Sequence, residues 1–206
     1  VEADARAAPP ATKGEFLNVL SLAERAVGRH DDAMAHADEL VALGRQHKNK
    51  VLVAKGLLSK AYVASRQNQL DLSHQLVWEA ERIASTTDDM ALRVEVTITS
   101  GHSHAEEGNL PAALGKLQEA VELARATGRP IQIVMALNAL ANQYGQLKEF
   151  DQGVGALAEA SAIAAKTTSP RRMATLKNAE YALAIQTGQA DRGLNALLEA
   201  PGRLSQ

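Results

Sequence analysis

The sequence predicts an all-α chain wound as a solenoid of about five helical hairpins. Two observations carry this. The first is a period of 40 residues: Ala33, Ser73, Ala113, Gly153 and Gly193 fall in one column and all are small. Seven residues on lie Leu40, Ala80, Ala120, Ala160 and Ala200, and ten on from the first column lie Leu43, Ile83, Leu123 and Ile163. A fixed period of this size marks stacked helical hairpins rather than one globular core. The second observation is punctuation. Gly28, Gly108 and Gly188 share a column where first helices should end, because glycine enters the left-handed conformation without a Cβ clash. Pro130 and Pro170 share a column at helix starts, where the N–H that proline lacks has no intrahelical partner in any case.

Each unit reads as two amphipathic helices joined by a tight turn. The pairs are expected near 14–28 with 31–47, 50–66 with 69–86, and 90–107 with 110–127. Two more follow near 130–147 with 150–167 and 170–187 with 190–200. Pro111 opens a second helix by the same logic as Pro130, and Ser169 stands ready to cap the helix that Pro170 begins. Asp31, Asp32, Asp88 and Asp89 sit before or at helix starts, where negative charge complements the helix dipole. Leu110, Leu114, Leu117 and Val121 form one apolar stripe, and Phe150, Val154 and Leu157 repeat it. Such residues read as core, shared between neighbouring hairpins because one hairpin cannot bury both of its faces. Trp78, the single tryptophan, is expected to pack against the next hairpin.

Composition narrows the function classes. The chain has 206 residues, 46% of them hydrophobic and only 3% aromatic, so its core must be built from Ala, Leu, Val and Ile. The formal net charge is −2, and no basic run exceeds Arg171 and Arg172. A nucleic-acid binder would carry a basic stripe, so direct nucleic-acid binding is not expected. No stretch approaches the roughly 20 apolar residues that cross a bilayer, so no membrane insertion is expected. With no cysteine, disulfides, thiolate metal sites and a thiol nucleophile are excluded. The compartment stays open between bacterial periplasm and cytoplasm. The sequence begins at Val1, and residues 1–12 with Pro9 and Pro10 would suit a linker or the segment after a removed secretory signal. The expectation is a single domain over 1–206 that is a fragment of a longer protein.

The residues resemble the tetratricopeptide repeat. That family asks for a small residue in the first helix, an aromatic three later, then small, bulky and Ala positions in the second helix. Ala141, Tyr144, Gly153, Leu157 and Ala160 fit this, as do Gly101, His104, Ala113, Leu117 and Ala120 with His in the aromatic position. The likeness runs from about Gly14 to Ala200. It departs in unit length, 40 against about 34, in the missing aromatics at Glu24, Ala64 and Ala184, and at Tyr181, which fills a small-residue position. The resemblance implies a right-handed α-α superhelix whose first helices line the concave face. Repeats of this length are similar to those in sensor segments of bacterial signalling proteins, among them peptide-pheromone receptors, transcription regulators and diguanylate cyclase input regions.

Aligning the units places two columns on that face. One holds Asn18, Leu58, Ile98, Asn138 and Asn178; four residues on lie Leu22, Tyr62, His102, Asn142 and Ala182, on the same side of the helix. Lys55, Glu95 and Met135 lie about one turn earlier. Asn138, Asn142 and Asn178 form the leading ligand cluster, since an Asn amide both donates and accepts, matching the amides of an extended peptide. Lys55, Tyr62 and His102 complete the candidate ligand-binding set. Solvated polar residues on a helix would look the same. A carboxylate clamp of the kind some family members use is absent, because the matching positions offer Lys55 and then Tyr62, Glu95 and Thr99. His102 and His104 stand two apart on a helix and point to different sides, so no metal is expected, and no cofactor.

No phosphate loop and no nucleophile elbow occurs, and nothing orders Ser and His into a triad. The expected function is therefore not catalysis. It is a protein- or peptide-binding, or small-ligand-sensing, module of a bacterial signalling or regulatory protein. The alternative is a structural scaffold or self-association module, such as a homodimer.

Overall fold

A computed structural model describes residues 9–167, and over them the chain is helical with turns of two to five residues. The helices are α1 (Pro10–Ala26), α2 (His30–Gln46), α3 (Lys50–Arg66), α4 (Leu70–Ala84), α5 (Met90–Glu106), α6 (Leu110–Thr127), α7 (Pro130–Gln146) and α8 (Phe150–Thr167). The predicted fifth hairpin, with Ser169, Pro170, Asn178, Tyr181 and Gly188, lies outside the described residues. The chain divides into two compact units, Val1–Glu106 and Glu107–Gln206. The division falls between α5 and α6.

The boundaries follow from local chemistry. Asn49 and Asp89 accept hydrogen bonds from the backbone of Leu52 (3.2 Å) and Leu92 (3.0 Å) at the starts of α3 and α5, and Asn109 does the same for Ala112 in α6 at 3.3 Å. Each satisfies one of the orphan N–H groups of a first turn. Gly28 and Gly108 take φ of 78° and 77° in the turns after first helices. Asn68 and Lys148 occupy the same column with φ of 61° and 60°, so the turn geometry repeats even where the glycine does not. One start differs from expectation. Of the residues read as a linker, 10–12 belong to a helix: Pro10 opens α1, by the rule that places Pro130 at the head of α7.

In the first unit, α1 packs on α2, α3 on α2 and α4, and α5 on α4. The first helices also touch one another, α1 with α3 and α3 with α5, while α2 and α4 make no comparable contact. First helices thus crowd together on the inner side of this unit and second helices splay on the outer side. Helix α3, enclosed by four neighbours, buries ten residues. Its Leu57, Ala61 and Ala64 join Val77, Ala80 and Leu92 in one continuous core.

The small columns mark where helices approach closely. Ala33, Ala113, Leu40, Ala80, Ala120 and Ala160 have no exposed surface. At two seams a serine donates to the carbonyl of the small residue opposite: Ser21 Oγ to Ala33 at 2.9 Å and Ser73 Oγ to Ala61 at 2.9 Å. A Cβ added to Gly56 would sit 3.0 Å from the Ala37 carbonyl oxygen and 3.1 Å from the Val41 nitrogen. The third aliphatic column, Leu43, Ile83, Leu123 and Ile163, is only half-buried. It lies at the rim of the seam rather than in it.

In the second unit, α6 packs on α7 and α7 on α8. Leu117, Val121, Val154 and Leu157 are buried as the stripes predict. Trp78 departs from expectation. It is 58% exposed on the outer helix α4, because it stands one residue past Val77, which takes the buried position.

Candidate functional site

The inner side of the first unit carries side chains that the core does not use. Leu22, Tyr62 and His102, in equivalent positions of α1, α3 and α5, are all exposed. The preceding column behaves differently: Leu58 is buried, and Asn18 and Ile98 are half-buried. A residue facing the neighbouring first helix is partly covered by it, whereas one four positions on clears the contact. The accessible line of this face is therefore the Tyr62 column.

Around Tyr62 the structure gathers charges. The Arg25 guanidinium lies over the Tyr62 ring, 3.9 Å from its centroid. Arg25 is half-buried, and its Nε is enclosed with no hydrogen-bond partner. Burial pushes the guanidinium below its ordinary pKa, opposed by Tyr62 and Glu95. Glu95, one turn before the inner columns on α5, is half-buried. Burial raises its carboxyl, while Lys55 and Arg25 pull it down and Asp89 adds to the rise. Burial also lowers the His102 imidazole, with Glu106 opposing; the residue as a whole stays exposed, which limits how far that goes. Arg25, Lys55, Tyr62 and Glu95 thus form one polar patch on three consecutive first helices, while His102 interacts with Glu106 further along α5.

The candidate residues are distributed unevenly. Lys55 and Tyr62 belong to the first unit's patch, and His102 lies in the same unit in the Tyr62 column. Asn138 and Asn142 lie on α7 in the second unit, the first half-buried and the second exposed, and neither side chain has a hydrogen-bond partner among the described residues. With Ile131 and Met135, both 47% exposed, they make a mixed apolar and amide stripe along α7 at helical spacing. Asn178 lies outside the described residues. Arg25 is the candidate residue that sequence reasoning missed. It falls seven residues after Asn18 and so shares its face; the signal was present, but the repeat offers no arginine in that column to draw attention to it.

The second unit also has a cleft of about 310 Å³ between α6 and α8, floored by Leu137 and Leu140. Arg125 closes it with two hydrogen bonds to Glu159, 3.0 and 3.1 Å, and one to Glu122 at 3.0 Å. Arg45 and Glu79 make the matching contact in the first unit, at 3.3 Å. Both pairs tie successive second helices together, a structural role. Among the described residues no cluster of three His, Cys, Asp or Glu side chains is placed to hold a metal ion, and no helix is long and apolar enough to cross a membrane.

Comparison with solved structures agrees with this architecture. No protein-family model matches the sequence, and no curated protein matches it. A Rap protein complexed with Competence and Sporulation Factor superposes with a TM-score of 0.77 at 16% identity, over 95% of this chain and 54% of that one. The Rap conjugation gene regulator of plasmid pLS20, in complex with the Phr* peptide, gives 0.71 at 14% identity, over 89% and 51%. A signal transduction ATPase from Pyrococcus horikoshii with a tetratricopeptide repeat sensor gives 0.71 at 15%, over 97% and 32%. The chain spans about half the length of the Rap proteins and a third of the ATPase. The likeness establishes the fold: a tetratricopeptide-like array of helical hairpins.

Proposed function

We propose that this chain is a peptide-binding sensor module of a bacterial signalling or regulatory protein, and that the side of its first helices receives an extended peptide. One observation carries the reading. The first helices present groups suited to gripping a peptide, exposed Tyr62 with half-buried Arg25 in one unit and exposed Asn142 with half-buried Asn138 in the other, although the same helices bury aliphatic residues on their remaining sides. An Asn amide matches a peptide bond as donor and acceptor at once. The complex of a Rap protein with the Phr* peptide supports the reading by likeness of fold, and the repeat sensor of the Pyrococcus ATPase supports a sensing role.

The test is selection of binders from a random decapeptide display library on the intact chain, followed by titration calorimetry with the enriched peptides. Peptides seated on the first unit should bind several-fold more weakly to Tyr62→Ala, and those seated on the second unit to Asn142→Ala, with the helical signal unchanged. Enriched peptides whose affinity ignores both substitutions would move the binding surface elsewhere.

A second reading, self-association, is favoured by Trp78, 58% exposed on the outer helix α4. Large exposed aromatics are enriched where proteins meet. Sedimentation equilibrium of the chain and of Trp78→Ser decides it: a monomer at high concentration rejects this reading.

A further inference from the structure

We infer that the Arg25–Tyr62 pair is an anchor for a carboxylate, so that the peptide received by the first unit is acidic at one position. This rests on the peptide-binding reading above and names the chemistry of the ligand at that face.

Among the described arginines Arg25 alone encloses a guanidinium nitrogen that has no acceptor. Arg29 meets Asp32, Arg45 meets Glu79 and Arg125 meets Glu122 and Glu159. Those three are exposed and need a partner least. Arg25 is half-buried and meets no carboxylate among the described residues. The adjacent Glu24 is taken, its Oε2 lying 2.8 Å from His36 Nδ1. Glu95 acts on Arg25 through its charge without a hydrogen bond or close ion pair. Its Nε is enclosed by the protein itself, so an acceptor arriving from outside can meet only the terminal Nη1 and Nη2 pair, whose donors no carboxylate of the described chain engages.

Tyr62 supplies the rest. With its central carbon 3.9 Å from the ring centroid, the guanidinium rests on the ring, which covers one side of it and holds it in place. The edge of a planar guanidinium is a fork of donors that fits a carboxylate through two parallel hydrogen bonds. Lys55, on the same helix as Tyr62 and seven residues before it, adds a second positive charge to the patch. The two carboxylates that act there, Glu95 and Asp89, set the limit. Asp89 is engaged in capping α5. Together they disfavour a doubly charged phosphate more than a singly charged carboxylate, which selects the latter. The carboxylate comes from an Asp or Glu side chain or from the peptide's C-terminus; the geometry of the fork is the same.

The decapeptide selection on the intact 206-residue chain is extended in three arms. Enriched peptides are resynthesised with each acidic residue replaced by its amide, with the C-terminus amidated, and unchanged. The expected result is that one of the two carboxylate removals weakens binding roughly tenfold to hundredfold, the range for a charge-assisted hydrogen bond. The side-chain arm and the terminal arm say which carboxylate it is. That loss should disappear against Arg25→Gln, and Arg25→Lys should restore part of it, because it keeps the charge and loses the fork. Changing the peptide leaves the protein's folding untouched. If enriched peptides carry no carboxylate preference, or lose as much affinity against Arg25→Gln as against the native chain, the anchor is refuted while peptide binding stands. If no peptide is enriched at all, both fall.

Discussion

The guanidinium of Arg25, in the last turn of α1, lies over the ring of Tyr62 on α3 at 3.9 Å from its centroid. This contact links the first helices of two successive hairpins on the side where they crowd together. A cation held over an aromatic face contributes about 0.5–1 kcal/mol at an exposed site and more where water is excluded. Tyr62→Leu should therefore lower unfolding stability by about 1 kcal/mol in urea denaturation. The same substitution in an Arg25→Gln background should lower it by less. Equal losses in the two backgrounds would show that the ring contributes only its own packing.

Two helical glycines should respond oppositely to alanine. At Gly56 the added methyl meets the Ala37 carbonyl oxygen at 3.0 Å and Val41 Cγ2 at 2.6 Å, so α2 and α3 must part. Overpacking of this kind costs about 1–3 kcal/mol. At Gly115, exposed within α6, the methyl meets nothing within 4 Å, and the gain in helix propensity is about 1 kcal/mol. Thermal unfolding of Gly56→Ala and Gly115→Ala should shift in opposite directions.

Glu95 gives a pH dependence of defined sign. Burial raises its carboxyl in the folded chain, so the folded state keeps the proton to higher pH than the unfolded state does. Stability tied to this group is complete below the unfolded value and is lost as pH rises through the folded one. Glu95→Gln has no proton to lose. It should be more stable than the native chain near pH 7 and indistinguishable from it near pH 4, read as urea midpoints. His102 runs the other way, since its lowered imidazole removes stability as pH falls below the ordinary histidine value. Comparing variant and native chains at each pH cancels it. A difference independent of pH would mean that the Glu95 carboxyl is not raised.

Lys148 holds φ of 60° in the turn after α7, where its counterparts in two other repeats are Gly28 and Gly108. A side chain in the left-handed region is strained by about 1–2 kcal/mol, part of which glycine returns as lost chain entropy. Lys148→Gly should raise stability by about 0.5–1 kcal/mol in chemical denaturation, and Asn68→Gly by less, because Asn tolerates this conformation better.

How much was legible in the sequence varies by residue. The buried seam was fully legible: Ala33, Leu40, Ala80, Ala113, Ala120 and Ala160 recur every 40 residues and have no exposed surface. Tyr62 and Asn142 were legible as outward-facing, because a period of 40 carries each equivalent position to the same side of its helix. Asn138 was placed less well. Its column faces the neighbouring first helix, and only the distance between those helices decides that Leu58 is covered and Tyr62 is not. Trp78 was misplaced because a shift of one residue on a helix turns a side chain by about 100°, from the buried Val77 side to solvent.

The sequence alone determined the hairpin, its length, its turns and its core, since each of these is set by residues within one 40-residue unit or by identical positions in the next. Only the tertiary structure decided the company of Arg25. Its partner Tyr62 is 37 positions away in the chain, and its Nε is enclosed by the packing of α1 on α3. Periodicity reports what repeats; an arginine that occurs once in its column stands out only when the neighbouring helix brings a ring against it.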